Sequence, residues 1–214
     1  MEILQQLIAF FGTLDDHLTA IAQSSPVFFF AVVATIIFVE TGVVVMPFLP
    51  GDSLLFVAGA ITAIAGLNVH LLVAILIVAA VAGDSLNYFI GSKLGLKAFD
   101  DPNSRVFKRA YLERTQAFYA KYGAFSIVMG RFVPIVRTFV PFLAGVAQMS
   151  YRTFFFYNVV GGVLWITSLT YAGYIFGNLP WVKDNLSLIV IGIIVLSVMP
   201  MVIKFWQERR AARA

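Results

Sequence analysis

Gly130-Arg131-Phe132-Val133-Pro134-Ile135-Val136-Arg137-Thr138-Phe139-Val140-Pro141 sets two arginines and two prolines inside a strongly apolar chain. Arginine placed in hydrocarbon costs roughly 2.5–3.5 kcal/mol on insertion scales, so an intramembrane arginine points to function. Each proline removes a backbone donor and clashes with the preceding turn, so the pair predicts a broken helix. Such backbone persists at membrane depth only where protein or a water-filled cavity covers it. At 100° per residue, a straight helix would put Arg131 and Arg137 on different faces. A break near Pro134 turns both guanidiniums toward one cavity. The stretch therefore predicts a membrane protein with an internal cationic site.

Composition agrees. The 214 residues are 60% hydrophobic and 12% charged, with no cysteine. Soluble domains carry about a quarter charged residues. Without cysteine there is no disulfide, zinc–thiolate or thiol nucleophile. The net charge of +4 is unevenly placed: Glu2, Asp15, Asp16, Glu40, Asp52 and Asp84 all precede the first basic residue, Lys93. Basic residues then crowd into 93–121 and the C-terminal tail, which the positive-inside rule puts in the cytoplasm. Because these clusters flank apolar spans, they are assigned to the membrane surface and not to nucleic acid.

The expected organisation is one polytopic all-α membrane domain covering 1–214. Residues 1–20 are expected as an amphipathic surface segment. Spans are expected at about 26–45, at 71–90, at 154–176 and, C-terminally, at 186–206. Between them, Pro47, Pro50 and Gly51 break the segment 46–66, whose apolar part is too short to cross comfortably. The arginine stretch makes 123–148 a second broken segment, with Pro134 and Pro141 as breakers. Residues 92–122 form a basic cytoplasmic loop in which Phe107, Tyr111, Phe118 and Tyr122 recur at helical spacing, as in a helix on an anionic leaflet. Counting from that loop, the two broken segments enter from opposite faces as re-entrant hairpins of an inverted repeat, and both termini are cytoplasmic. An offset of 86 residues pairs Phe56-Val57-Ala58-Gly59 with Phe142-Leu143-Ala144-Gly145, and Tyr88-Phe89-Ile90-Gly91 with Tyr174-Ile175-Phe176-Gly177. The residues between barely match, and the prolines do not align.

Polar residues at membrane depth supply the remaining candidates. Glu40 reads equally as a glutamate at the interface and as a functional carboxylate. Asp52, just after a Pro-Gly turn, reads as a helix cap that also carries charge. Asp84, Asn87 and Tyr88 share one helix face and are read as structural hydrogen-bonding groups.

Glu40-Thr41-Gly42, Phe48-Leu49-Pro50-Gly51-Asp52-Ser53-Leu54-Leu55, Gly83-Asp84-Ser85-Leu86-Asn87-Tyr88 and the stretch from Gly130 to Pro141 resemble the DedA family of bacterial inner-membrane proteins, over nearly the whole chain. That family falls in the wider VTT-domain group, which includes eukaryotic lipid scramblases. The resemblance implies two re-entrant hairpins meeting in mid-membrane and movement of lipids across the bilayer. Undecaprenyl phosphate recycling is assigned to some members and proton-dependent transport is proposed for others. Positions regarded as essential in the family match Glu40, Asp52, Arg131 and Arg137.

Two classes of function follow. A flippase or scramblase of an anionic lipid would use Arg131 and Arg137 on the phosphate, with Glu40 and Asp52 as counter-ions and proton carriers. The alternative is a proton-coupled exporter of small cations or drugs, in which the acids bind cargo and the arginines are structural. A lipid phosphatase would need an activated nucleophile or a metal cage. The only histidines, His17 and His70, lie outside the broken segments, so neither enzyme activity, metal nor cofactor is expected.

Overall fold

The computed structural model describes residues 20–43, 51–95, 117, 119–133 and 136–179. The expected amphipathic segment 1–19, the breakers Pro47, Pro50 and Pro134, most of the basic loop and the span 186–206 lie outside the described residues.

Every described element is helical. In chain order they are α1 (Pro26–Gly42), α2 (Gly51–Ile64), α3 (Val69–Leu94), a 3-10 turn (Gly123–Phe125), α4 (Ser126–Gly130), α5 (Val136–Val146) and α6 (Tyr151–Gly177). Among the described residues, α3 and α6 are long and apolar enough to cross a membrane. At 1.5 Å per residue they measure about 39 and 40 Å, against about 21 Å for α2 and 16 Å for α5. The two short helices cannot cross ~30 Å of hydrocarbon by themselves.

Both long helices exceed their expected bounds, because their caps lie in the flanking polar residues. Asn68 Oδ1 accepts the backbone N–H groups of His70 at 2.9 Å and Leu71 at 3.1 Å, which starts α3 at Val69. Gly95, at φ 61°, follows its last turn. Ser150 Oγ accepts Thr153 N–H at 3.3 Å and starts α6 at Tyr151.

The short helices share one ending. In α2 the N–H of Leu67 reaches Thr62 O at 2.9 Å and that of Gly66 reaches Ala63 O at 3.3 Å, with Gly66 at φ 68°. In α5 Met149 reaches Ala144 O and Gln148 reaches Gly145 O, both at 3.0 Å, with Gln148 at φ 55°. Both are Schellman caps, which satisfy the last carbonyls and turn the chain sharply.

One expectation needs correction. Pro141 does not break the second segment; it lies inside α5. Around it, Thr138 O takes Asn87 Nδ2 at 2.9 Å and Val140 O takes the Tyr119 hydroxyl at 2.9 Å, which tie this helix to its neighbours. The break falls at 131–133, where Phe132 and Val133 N–H bond back three residues to Met129 and Gly130.

The chain packs as two compact units, residues 1–31 with 50–71 and 169–214, and residues 32–49 with 72–168. In the first, α2 lies on the C-terminal end of α6. A Cβ at Gly59 would overlap Thr170 O, and one at Gly173 would overlap Phe56 O. Phe56 and Phe176 rings meet at 5.8 Å beside this crossing. In the second unit α5 lies on the C-terminal half of α3 in the same manner. A Cβ at Gly145 would overlap Tyr88 O, and one at Gly91 would overlap Phe142 O. Thus each short helix pairs with a long helix from the other half of the sequence, through Phe-x-x-Gly on one side and a glycine on the other. The second unit's core adds Tyr88, Ile127, Val136, Val140, Ala144 and Phe154, with Tyr88 stacked on Phe154 at 4.6 Å.

Backbone-on-backbone contact leaves no flexible side chain to yield. Gly59→Ala and Gly145→Ala should each destabilise the protein by at least the ~1–3 kcal/mol typical of overpacking. Thermal unfolding of the purified variants in detergent should show both midpoints lowered; unchanged midpoints would refute these crossings.

Candidate functional site

Within the second unit, the turn at 131–133 brings the arginines back toward each other. Arg131 sits at the end of α4 and Arg137 is the second residue of α5. Gly130 permits the fold-back, since a Cβ there would press on the Val140 side chain. Both guanidiniums lie 5.7 Å from the ring of buried Trp165 on α6, within cation–π range.

Each arginine meets a carboxylate. Arg131 Nη2 donates to Asp84 Oδ2, and both side chains are only 6% exposed. It also donates to Asn158 Oδ1 at 2.5 Å. Arg137 Nη2 donates to Glu40 Oε1, with side-chain exposures of 17% and 2%. The four groups, if ionised, sum to zero charge. Neutralisation is obligatory here, because a guanidinium cannot shed its proton to escape burial.

The surrounding polar contacts hold the carboxylates in position. Asn87 Nδ2 donates to Thr41 O at 3.2 Å and Thr138 O at 2.9 Å, so one side chain joins α1, α3 and α5. Asn158 Nδ2 donates to Val81 O at 3.1 Å, which aims its oxygen at Arg131. Small residues open the space. A Cβ at Gly83 would overlap Thr41 Oγ1, so α1 and α3 meet closely between Glu40 and Asp84. A Cβ at Gly161 would stand 3.1 Å from Arg131 Cδ and Nε.

Between these groups lies a cavity of about 20 Å³ lined by Glu40, Thr41, Asp84, Arg131, Arg137, Thr138 and Trp165. That is room for about one water molecule. Arg131 Nε is buried and has no acceptor among the described residues.

The structure thus places Glu40, Asp84, Arg131 and Arg137 around one cavity. Asp52 is exposed, in the first turn of α2, where a carboxylate suits the positive end of the helix dipole. The carboxylate bonded to Arg131 is that of Asp84, which the sequence reading treated as structural. Asn87 is hydrogen-bonded as that reading supposed, and the Tyr88 hydroxyl donates to Met149 O. Trp165 and Asn158 were missed as site residues. Their signal was present: Asn158, Gly161, Gly162 and Trp165 follow at intervals of three and four and so share one face of α6.

Comparison with known proteins now bears on this arrangement. The VTT domain matches residues 49–175. Protein DedA of Escherichia coli (strain K12) is 50% identical over 214 residues, covering 99% of this chain and 98% of its own length.

The chain belongs to the DedA family.

An uncharacterized membrane protein of Mycobacterium leprae (strain TN) is 42% identical over 176 residues, or 82% of this chain and 79% of its own. Inner membrane protein YghB of E. coli (strain K12) is 33% identical over 192 residues, or 86% and 84%. No solved structure matches. As a DedA-family chain with two span-length apolar helices, this is a membrane protein.

Removing one partner of a buried ion pair strands the other. Asp84→Asn should therefore destabilise by about 3–5 kcal/mol. Adding Arg131→Gln should restore much of the loss, a coupling that thermal unfolding of the two single variants and the double variant measures. Additive losses would mean that the pair is not a unit.

Proposed function

We propose that this protein carries an anionic lipid, a phospholipid or a polyprenyl phosphate such as undecaprenyl phosphate, across the bacterial inner membrane as a flippase or scramblase. The observation that supports it best is the convergence of buried Arg131 and half-buried Arg137 on one small cavity with their counter-charges alongside. A guanidinium presents a planar fork that binds phosphate oxygens in pairs. The cavity of about 20 Å³ is too small for a phosphate group. Lipid entry then requires at least one arginine–carboxylate pair to part.

Protons offer a route. Protonating Asp84 or Glu40 releases an arginine for the lipid phosphate, so proton and lipid binding become cooperative by linkage. Asp84 takes the place first given to Asp52, which is assigned a helix-terminal role. The proposal retains the inverted repeat, with α2 and α5 as its re-entrant limbs, and cytoplasmic termini, as the basic segments favour.

Proteoliposomes test the proposal. Purified protein should move headgroup-labelled phosphatidylglycerol between leaflets and should not dissipate a gradient of small cations. The opposite result would favour the cation exporter. Arg131→Lys and Arg137→Lys should each lower lipid movement about tenfold or more, since lysine keeps the charge but lacks the fork. Full activity in both would reduce the arginines to point charges. Phosphatidylglycerol is a phosphodiester with no titration near neutrality, so its binding reports on the protein's own protons. Affinity should rise as pH falls in the wild type, and this rise should be lost in a Glu40→Gln/Asp84→Asn double variant. Identical profiles would remove the carboxylates from the mechanism.

A further inference from the structure

On the outer side of the α3–α6 crossing lies a groove of about 640 Å³, whose walls include Val78, Ala82, Leu86, Phe155 and Val159. Its volume falls within the ~300–1,000 Å³ of small-molecule sites. The lining is almost wholly aliphatic and aromatic, and Val78 is 68% exposed. One end is closed by Phe89 and Tyr151, whose rings stack at 5.0 Å. There the Tyr151 hydroxyl donates to Ser85 Oγ at 3.3 Å. Ser85 directly follows Asp84 in the chain.

Only one layer of side chains separates this groove from the buried ion pair. Val81 lines the groove, and its carbonyl accepts Asn158 Nδ2 at 3.1 Å. The other end of the same amide accepts Arg131 Nη2 at 2.5 Å. A Cβ at Gly162 would stand 3.2 Å from Val81 Cγ2 and 3.7 Å from Arg131 Nη2, so the glycine keeps this wall thin.

We infer that the groove between α3 and α6 holds a hydrocarbon chain of the anionic lipid, whose phosphate reaches Arg131 past Asn158. The inference rests on the lipid-carrier reading given above. The occupant follows from the chemistry on both sides of the wall. The groove itself accepts only an apolar chain, and immediately behind it lies Arg131, whose Nη2 is paired with Asp84 while its buried Nε has no acceptor among the described residues. An anionic amphiphile satisfies both at once, with its chain in the groove and its charge on the guanidinium. A neutral hydrocarbon would gain nothing from Arg131, and a free phosphate would gain nothing from the groove. Asn158, bonded to both sides, is the group that must move to admit the phosphate.

The test uses full-length protein in nanodiscs containing phosphatidylglycerol with a diazirine at mid-chain, and phosphatidylcholine carrying the same probe. Mass spectrometry then maps the labelled residues. Labelling at 78–89 and 151–159 should exceed that at the exposed apolar residues Phe28 and Phe176 at least threefold, and only for phosphatidylglycerol. Ala82→Trp, at an exposed position whose indole would fill the groove, should lower labelling and phosphatidylglycerol movement at least fivefold while the unfolding midpoint stays unchanged. Arg131→Gln should abolish the preference for phosphatidylglycerol. Equal labelling of the groove, Phe28 and Phe176 would overturn the inference, as would undiminished transport by Ala82→Trp. A wild-type protein that moves no lipid would instead overturn the carrier reading, and the labelling pattern would still decide whether the groove is a lipid site.

Discussion

Two guanidiniums buried in an apolar domain must be neutralised where they stand, and much of the second unit's architecture follows from that requirement. Lysine or histidine can lose a proton when buried; arginine in proteins does not. Asp84 must therefore come from α3 and Glu40 from α1, bringing both helices to the broken segment that carries the arginines. Bulky residues would hold these elements apart. Gly83 lets α1 meet α3, and Gly161 lets α6 pass the Arg131 side chain. Asn87 then ties α1, α3 and α5 by their carbonyls. The glycines and amides make sense once the charges are considered first.

Such a site is poor value as a stabilising device. Desolvating two ion pairs costs several kcal/mol per ion, and well-packed apolar residues often serve stability equally well or better. The Phe-x-x-Gly crossings hold each short helix to its long partner without using any charge. Keeping two arginines and two acids beside a cavity of about 20 Å³ is therefore better explained by what the charges bind than by what they hold together.

The sequence revealed the break at the arginines, but not its exact form. Paired prolines suggested two breaks, whereas Pro141 lies within α5. The partner of Arg131 was hidden because Asp84 lies 47 positions away, beyond any rule of local spacing. Asp52 had the resemblance in its favour, while Asp84 shared a face with Asn87 and Tyr88 and so passed for structural. Gly59, Gly91 and Gly145 each lie where a short and a long helix meet backbone to backbone. Trp165 escaped notice because aromatic residues fill α6, and only its spacing from Asn158 and the Gly161-Gly162 pair marks it out.

Two arginines and two carboxylates, if ionised, leave the cavity neutral, and in the carrier reading a phosphodiester brings one further negative charge into it. An uncompensated anion at that depth would incur the same penalty that the ion pairs avoid. One proton on Asp84 or Glu40 restores neutrality and also frees the arginine that the phosphate requires. In the carrier reading, proton and lipid would enter as a neutral pair and leave the site self-compensated when both depart. Both guanidiniums lie 5.7 Å from the Trp165 ring, so the two pairs share one aromatic neighbour. In that reading Arg137, at 17% exposure against 6% for Arg131, is the more accessible arginine.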